Sequence, residues 1–453
     1  MTTTEQDVNY ITQNRIEKRD KFIEQGLNPY PYKFERSAMN AEIQSKYADL
    51  ESGVETEDIV RIAGRIMAMR NNGMFLDVMD SSGKLQGFCH KESLSEDYRN
   101  LLPLVDIGDI IGLEGTIRRT PRGELSVRVK SLEMLGKGLL QLPEKYHGLS
   151  DVETRYRQRY LDLIMNETSR DTLRKRSKIV MAMRAYLAEM DGLEVETPML
   201  HAIPGGASAE PFVTHHNTLD QKMYLRIAPE LHLKRLIVGG LSDMVYEINR
   251  CFRNEGISTK HNPEFTSLEI YKAYADYNDM MTLTENIVQR CCQAVNGTLD
   301  VQYGENTFNF AGEWRRVSMC DLVNEYTGID FLELDDEQAR EKAKELNIFV
   351  EKWDSWGKVV EAVFGDKVEK HLIQPTHVID LPRDISPLAK VHRDNPRLAE
   401  RFESYVNGWE LANAFSELSD PMDQRSRFED QMKQRDAGDK EAQHLDEDYI
   451  IAL

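Results

Sequence analysis

RNEGISTKHNPEFTSLE, residues Arg253 to Glu269, sets one arginine, three glutamates, a histidine and a phenylalanine around Gly256 and Pro263. Gly and Pro in that middle favour a turn between two extended arms over a helix. A hairpin of this kind sends alternate side chains to one face. Arg253, Glu255, Phe265 and Glu269 can then converge on one ligand that is both anionic and aromatic, and a nucleotide has both properties. Taken alone, the stretch fits a solvated charged hairpin as well; the flanking sequence weakens that alternative.

At 453 residues the chain can hold two or three domains with substantial cores. No apolar run approaches the length of a bilayer span, and Met1 is followed by polar TTTEQD. Neither a membrane segment nor a secretory leader is therefore expected, and a cytoplasmic location is. Cys89, Cys251, Cys291, Cys292 and Cys320 form no CxxC pair, which favours reduced thiols and offers no zinc spacing. The formal charge of −20 argues against indiscriminate nucleic-acid binding without excluding a local basic surface. RIEKRDK (Arg15 to Lys21), RRTPR (Arg118 to Arg122) and RYRQR (Arg155 to Arg159) are such clusters, each as readily a solvated face as a phosphate contact.

The texture divides the chain. A charged helix is expected from about Asn14 to Gln25, stopped by Gly26, Pro29 and Pro31. From about Ile59 to Leu140, short apolar runs alternate with turn signals, which predicts a small barrel of the OB type. A connector around LPEKYHGLSD leads to a helical stretch from Val152 to Met190 and then to a strand, LEVETPML, ending at Pro198. The remainder alternates strands and helices, as an α+β domain on an antiparallel sheet does. Its segment from about 322 to 368, rich in Glu, Lys and Asp, reads as a helical insertion. The expected organisation is an N-terminal helical extension at 1–57, the barrel at 58–145 and the larger domain at 146–453.

Three further runs are long and unusual: PGGASAEPF (Pro204 to Phe212), RIAPELHLKRL (Arg226 to Leu236) and GWELANAFSEL (Gly408 to Leu418). With them, the Arg253–Glu269 run resembles motif 2 of the class II aminoacyl-tRNA synthetases, and the surrounding text is similar to the lysyl-tRNA synthetase branch over essentially the whole chain. The resemblance implies an ATP-dependent lysine–tRNA ligase. Such an enzyme forms lysyl-adenylate from L-lysine and ATP with Mg²⁺ and transfers lysine to the 3′ end of lysine tRNA.

Residue by residue, the resemblance makes Arg253 the guanidinium that holds the α-phosphate and the lysine carboxylate together, suited to both anions by its planar, permanent charge. Glu255, His261, Phe265 and Glu269 become ATP contacts, with Phe265 stacked on adenine. Glu403 and Glu410, seven residues apart and so on one helical or extended face, become the Mg²⁺ ligands; without the resemblance they read as plain acidic surface. An ε-ammonium taken out of water must meet a carboxylate. Glu417 has that role, with Tyr271 as its hydroxyl partner. Glu230 and the Gly206 carbonyl hold the α-amino group, Asn413 helps fix the carboxylate, and Phe415 walls the aliphatic stem. In the barrel, Phe75 is the stacking platform and Arg65, Gln86 and Glu124 read a uridine-rich anticodon. Core packing remains the alternative for Phe75.

The resemblance further implies a homodimer through the LEVETPML region. It also implies a Gly-rich strand and an Arg-bearing helix after DEDYIIAL, where this sequence ends. The expectation is therefore a C-terminally incomplete chain, its catalytic domain lacking the last strand and helix, that activates lysine poorly. Two alternatives stay open: an inactive tRNA-binding fragment or paralogue, and an aspartyl- or asparaginyl-type synthetase, which Glu417 with Tyr271 disfavours.

Overall fold

Alternating apolar and polar residues close into a barrel in the first part of the chain. The computed structural model describes residues 5–143, 149–436 and 443–453, so the connector expected at 142–151 lies partly outside the described residues. The barrel strands are β1 (Glu55–Arg70), β2 (Phe75–Met79), β3 (Lys84–Phe88), β4 (Ile110–Arg119) and β5 (Leu125–Gly136), paired in the closed order β1-β2-β3-β5-β4. β1 is long because it pairs with both β2 and β4, and β3 runs parallel to β5. Closure leaves no strand edge to recruit another chain. Ile62, Ile66, Leu76, Val78, Leu113 and Val127 point inward as the pleat dictates. Phe22 from α1 (Glu5–Glu24) and Ile43 from α2 (Asn40–Lys46) enter the same core.

The helical stretch expected at 152–190 is broken into Val152–Arg157, Arg159–Met165 and Glu167–Glu189. The reason is Asp162, fully buried, which gathers Arg155 at 2.8 Å, Arg159 at 2.6 Å and Asn166 at 2.6 Å. Wrapping those donors around one carboxylate bends the path at Gln158 and Asn166. LEVETPML likewise yields no continuous strand: Leu193–Glu194 pair along Val245–Tyr246, and Leu200 begins a separate short strand opposite Leu225.

The chain separates into two compact units, Met1–Arg170 and Asp171–Leu453. In the second, β6 (Met244–Phe252) and β7 (Glu264–Lys272) form a hairpin in unbroken register from Met244–Lys272 to Phe252–Glu264. The Arg253–Glu269 run thus supplies the turn and most of the returning arm. A second sheet orders β8 (Arg315–Ser318), β9 (Thr376–Ile379), β10 (Arg401–Val406) and β11 (Trp409–Phe415). β8 and β9 are parallel and the other pairs antiparallel. Parallel neighbours need a long crossover. Helices Met319–Thr327, Asp336–Glu345 and Trp356–Lys367 fill it, and Leu322, Val323, Val359 and Val363 pack with Val378 of β9. The acidic helical segment is therefore built into the sheet's own connection.

Candidate active site and nucleic-acid interface

Strand alternation on β7 turns Glu269 and Tyr271 to one face, and the Tyr271 hydroxyl donates to Glu269 Oε2 at 3.1 Å. Across the ladder from Glu269 sits buried Glu247, which accepts from buried Arg226 at 2.8 Å. Helix α3 (Glu230–Val238) presents Glu230 and Lys234 one turn apart. Lys234 Nζ donates to Glu230 Oε1 at 2.6 Å and lies 2.5 Å from Glu417 Oε2. The Phe415, Tyr271 and Tyr449 rings stand 5.1, 5.9 and 6.0 Å from the same ammonium, Tyr449 belonging to α4 (Glu447–Ala452). Gly206, at φ +88°, brings its backbone onto this helix; a Cβ there would lie 2.9 Å from Glu230 Cβ. Only glycine suits both the dihedral and the approach.

The cluster is short of positive charge. Desolvation, with Glu230 and Glu269 adding to it against Lys234, pushes Glu417 up to about 7. Glu269 also rises to about 7, through desolvation and Glu230, with Tyr271, Arg253 and Arg226 opposing. Burial would lower Lys234, but Glu230 and Glu417 outweigh it and hold the ammonium charged. The Glu417 side chain remains 40% accessible, as on the wall of a cleft. Its Oε2, although near Lys234, accepts no aligned hydrogen bond.

Arg253 follows the end of β6, and its guanidinium lies 5.1 Å over the Phe265 ring. It therefore covers one face of the ring expected to stack on adenine. The Arg253 charge acts on both Glu269 and Glu410. Glu269, expected among the ATP contacts, shares a strand face with both Phe265 and Tyr271 and lies in the field of Glu230 and Glu417. Glu255 and His261 occupy the exposed turn, where His261 Nδ1 pairs with Ser258 Oγ at 2.9 Å. Lys260 fastens that turn by donating to the Gly408 carbonyl at 3.0 Å.

Glu403 and Glu410 share a face, but it is the face of a two-stranded ladder rather than of one helix or strand. They lie on the two strands of a hairpin, Glu403 opposite Asn413 and Glu410 opposite Tyr405. Glu403 accepts from Arg401 at 2.6 Å and from the Tyr405 hydroxyl at 2.8 Å. Desolvation and Glu403 push Glu410 up to about 7. Asn413 accepts from Arg401 Nε at 3.2 Å. Among the described residues no group of three or more His, Cys, Asp or Glu is arranged to hold a metal. Two carboxylates this close, one of them raised by the other, nevertheless fit Mg²⁺, which takes one or two carboxylates and leaves its other positions to phosphates and water.

In the barrel, Phe75 is half-buried rather than part of the core. It stacks on Phe88 at 5.1 Å, Phe88 stacks on His90 at 5.5 Å, and the Arg118 guanidinium lies 4.8 Å over Phe88. Gln86 is buried and accepts from Ser126 at 2.9 Å. Glu124 is exposed in the β4–β5 turn. Arg65 sits further along β1, paired with Met79 while Phe75 pairs with Arg70, and donates to the Gly108 carbonyl at 2.7 Å. The barrel face thus gathers Phe75 and Gln86 with Phe88 and Arg118, and leaves Arg65 at the far end.

Sequence reasoning misses Lys234, Arg226, Arg401 and Phe88, and finds Arg118 only as part of a basic cluster. Only Lys234 carried a usable signal, its i, i+4 spacing from Glu230 within RIAPELHLKRL.

The family described as "tRNA synthetases class II (D, K and N)" matches residues 151–453, and an OB-fold nucleic acid binding domain of the anticodon type matches residues 60–135. The chain belongs to the class II tRNA synthetases of that D, K and N group. Its relatives include the lysine–tRNA ligase of Sinorhizobium medicae, 52% identical over 98% of this chain and 89% of that protein. The lysine–tRNA ligase of Agrobacterium fabrum is 50% identical over 100% and 92%, and that of a Nostoc species 52% identical over 97% and 80%. No helix among the described residues is long and apolar enough to cross a membrane.

Proposed function

We propose that this chain is a lysine–tRNA ligase. It activates L-lysine with ATP to lysyl-adenylate and transfers the lysyl group to the 3′ end of lysine tRNA. The observation that carries the reading is the acidic cleft of Glu230, Glu269 and Glu417 with Tyr271, electrostatically linked through Glu269 to Arg253. A cleft with spare negative charge selects a cationic side chain and rejects aspartate.

Glu417 and the Tyr271 hydroxyl receive the ε-ammonium, and Phe415 lies along the stem. Glu230 and the Gly206 carbonyl take the α-amino group. Asn413, its carbonyl oxygen engaged by Arg401, presents its amide NH₂ to the carboxylate. Arg253 draws that carboxylate and the ATP α-phosphate together for in-line attack, with pyrophosphate as the leaving group; positioning and charge neutralisation supply most of the acceleration in such a step. Glu255, His261 and Phe265 approach the nucleotide from the turn and β7. Mg²⁺ held by Glu403 and Glu410 would neutralise phosphate charge. The Phe75–Phe88 stack receives anticodon bases, with Gln86 and Glu124 beside it and Arg65 at the far end of the same face. The free thiols of all five cysteines suit a cytoplasmic setting. Exposed Leu193 and Leu200 suit coverage by a second copy.

Lysine-dependent exchange of pyrophosphate into ATP tests the reading, with aspartate and asparagine as competitors. Exchange driven by lysine alone supports it. Exchange driven by aspartate or asparagine, or by no amino acid, overturns it.

A further inference from the structure

We infer that Lys234 is a positioning residue of the amino-acid pocket: a resident ammonium that ties Glu230 to Glu417 and sets the charge left over for the substrate. This deepens the lysine–tRNA ligase reading and rests on it. Lys234 is the buried cation of the cleft, 7% exposed at its side chain, and lies within 2.6 Å of carboxylates from two separate segments. Glu230 comes from the start of α3, and Glu417 from the strand-like segment after β11 that bridges to Ala389. No other side chain spans both assigned contacts of the substrate, one for its α-amino group and one for its ε-ammonium, among the hydrogen bonds and ion pairs of the described residues.

The charge count gives the role. Glu230 from α3, Glu269 from β7 and Glu417 face two cations, Lys234 and Arg253, with the Tyr271 and Tyr449 hydroxyls alongside. The fully ionised cleft is therefore negative by one charge. Free lysine at neutral pH, with two ammoniums and one carboxylate, is positive by one. Arg226, which also acts on Glu269, is offset by its buried partner Glu247 and leaves the count unchanged. Without Lys234 the three carboxyls would therefore face Arg253 as their one uncompensated cation. Mutual repulsion in a desolvated site would then keep one of them protonated. Glu417 is the carboxyl affected most, because Lys234 is the strongest influence opposing its desolvation. Lys234 thus keeps Glu417 ionisable near neutrality: it lies against Oε2 at 2.5 Å and leaves the other carboxylate oxygen to the substrate.

The test measures lysine binding by calorimetry on the full chain from pH 6 to 9, for the parent, Lys234→Met, Lys234→Gln and Lys234→Arg, with ATP binding as the internal control. The parent's affinity should rise with pH through a midpoint near 7. Both neutral variants should lose about fivefold or more at pH 7, the consequence of moving that midpoint up by one unit or more, and should recover at higher pH. ATP affinity should stay within about twofold, and Lys234→Arg should keep the parent's midpoint. A merely structural role would lower affinity without moving the midpoint, and that result overturns the inference. So does unchanged or tighter lysine binding by the neutral variants. If the methionine variant does not fold, the glutamine variant decides by the same criteria. A parent that binds ATP but no lysine overturns the ligase reading itself, an outcome distinct from failure of the Lys234 role.

Discussion

At the scale of single residues, the cleft is defined by carboxyls held above their ordinary range, and that gives binding a pH dependence of definite sign. Glu417 and Glu269 titrate near 7 because burial disfavours their charged forms. Lysine binds the ionised form, so its affinity should fall as pH drops through about 7, by at most about tenfold per unit for each carboxyl. The unliganded protein follows the opposite sign. A raised carboxyl contributes stability that is fully present below its unfolded value near 4.5 and lost as pH rises through 7. Lysine should accordingly raise the melting temperature more at pH 8 than at pH 6, which differential scanning calorimetry reads directly. Glu417→Gln removes the titrating group and should abolish lysine-dependent exchange while leaving ATP binding intact; exchange retained at similar lysine affinity would refute its role. Gly206→Ala forces a Cβ at φ +88° to within 2.9 Å of Glu230 Cβ. It should cost about 1–3 kcal/mol in urea unfolding and raise the lysine Kd by displacing Glu230.

At the scale of elements, legibility tracks how local the governing interaction is. The barrel is legible because inside–outside alternation lies in each strand's own sequence, and the β6–β7 turn because Gly256 and Pro263 lie within it. The break-up of the helical stretch at 152–190 is not, because Asp162 imposes it through Arg155, Arg159 and Asn166, and an aspartate in a charged helix reads as solvated. The crossover between β8 and β9 is invisible for the same reason: strand order appears in no local pattern. Lys234 is not legible, because a lysine on an amphipathic helix ordinarily faces water. Glu403 and Glu410 do meet on one face, but across a hairpin: a spacing of seven hides the turn at Asn407 and Gly408, both at positive φ. For the barrel face, Phe75 rests on Phe88, which carries Arg118 on its other contact. Base–aromatic stacking is worth about 1–3 kcal/mol per base. Phe75→Ala should therefore weaken lysine tRNA binding by roughly 5- to 150-fold in a filter-binding assay without altering lysine or ATP affinity. Phe88→Ala should do at least as much, since it removes the support of Phe75 and frees Arg118; no loss in either variant would return Phe75 to a packing role.

At the scale of the whole molecule, the chain carries −20 and is proposed to bind a polyanion. Long-range Coulomb attraction cannot then be the main source of affinity, since the average field repels tRNA. At about 0.1 M salt the Debye length is about 10 Å, so acidic surface beyond that distance is screened while local contacts at the barrel face act unopposed. The salt dependence of tRNA binding should separate these contributions. Each phosphate neutralised contributes about 0.7 to 0.9 to the slope of log affinity against log salt, so a protein relying on a broad basic surface reaches a slope near −10. Stacking on Phe75 and Phe88 with a few guanidiniums should give a shallow slope, on the order of −2 to −4. Phe75→Ala should shift the whole line downward and leave its slope unchanged, because a ring carries no counterion to exchange. Arg118→Ala should flatten the slope by roughly one phosphate's worth. Titrations between 50 and 300 mM salt decide the matter: a parent slope near −10, or a Phe75→Ala line differing in slope rather than height, would mean that charge and not stacking holds the tRNA on the barrel.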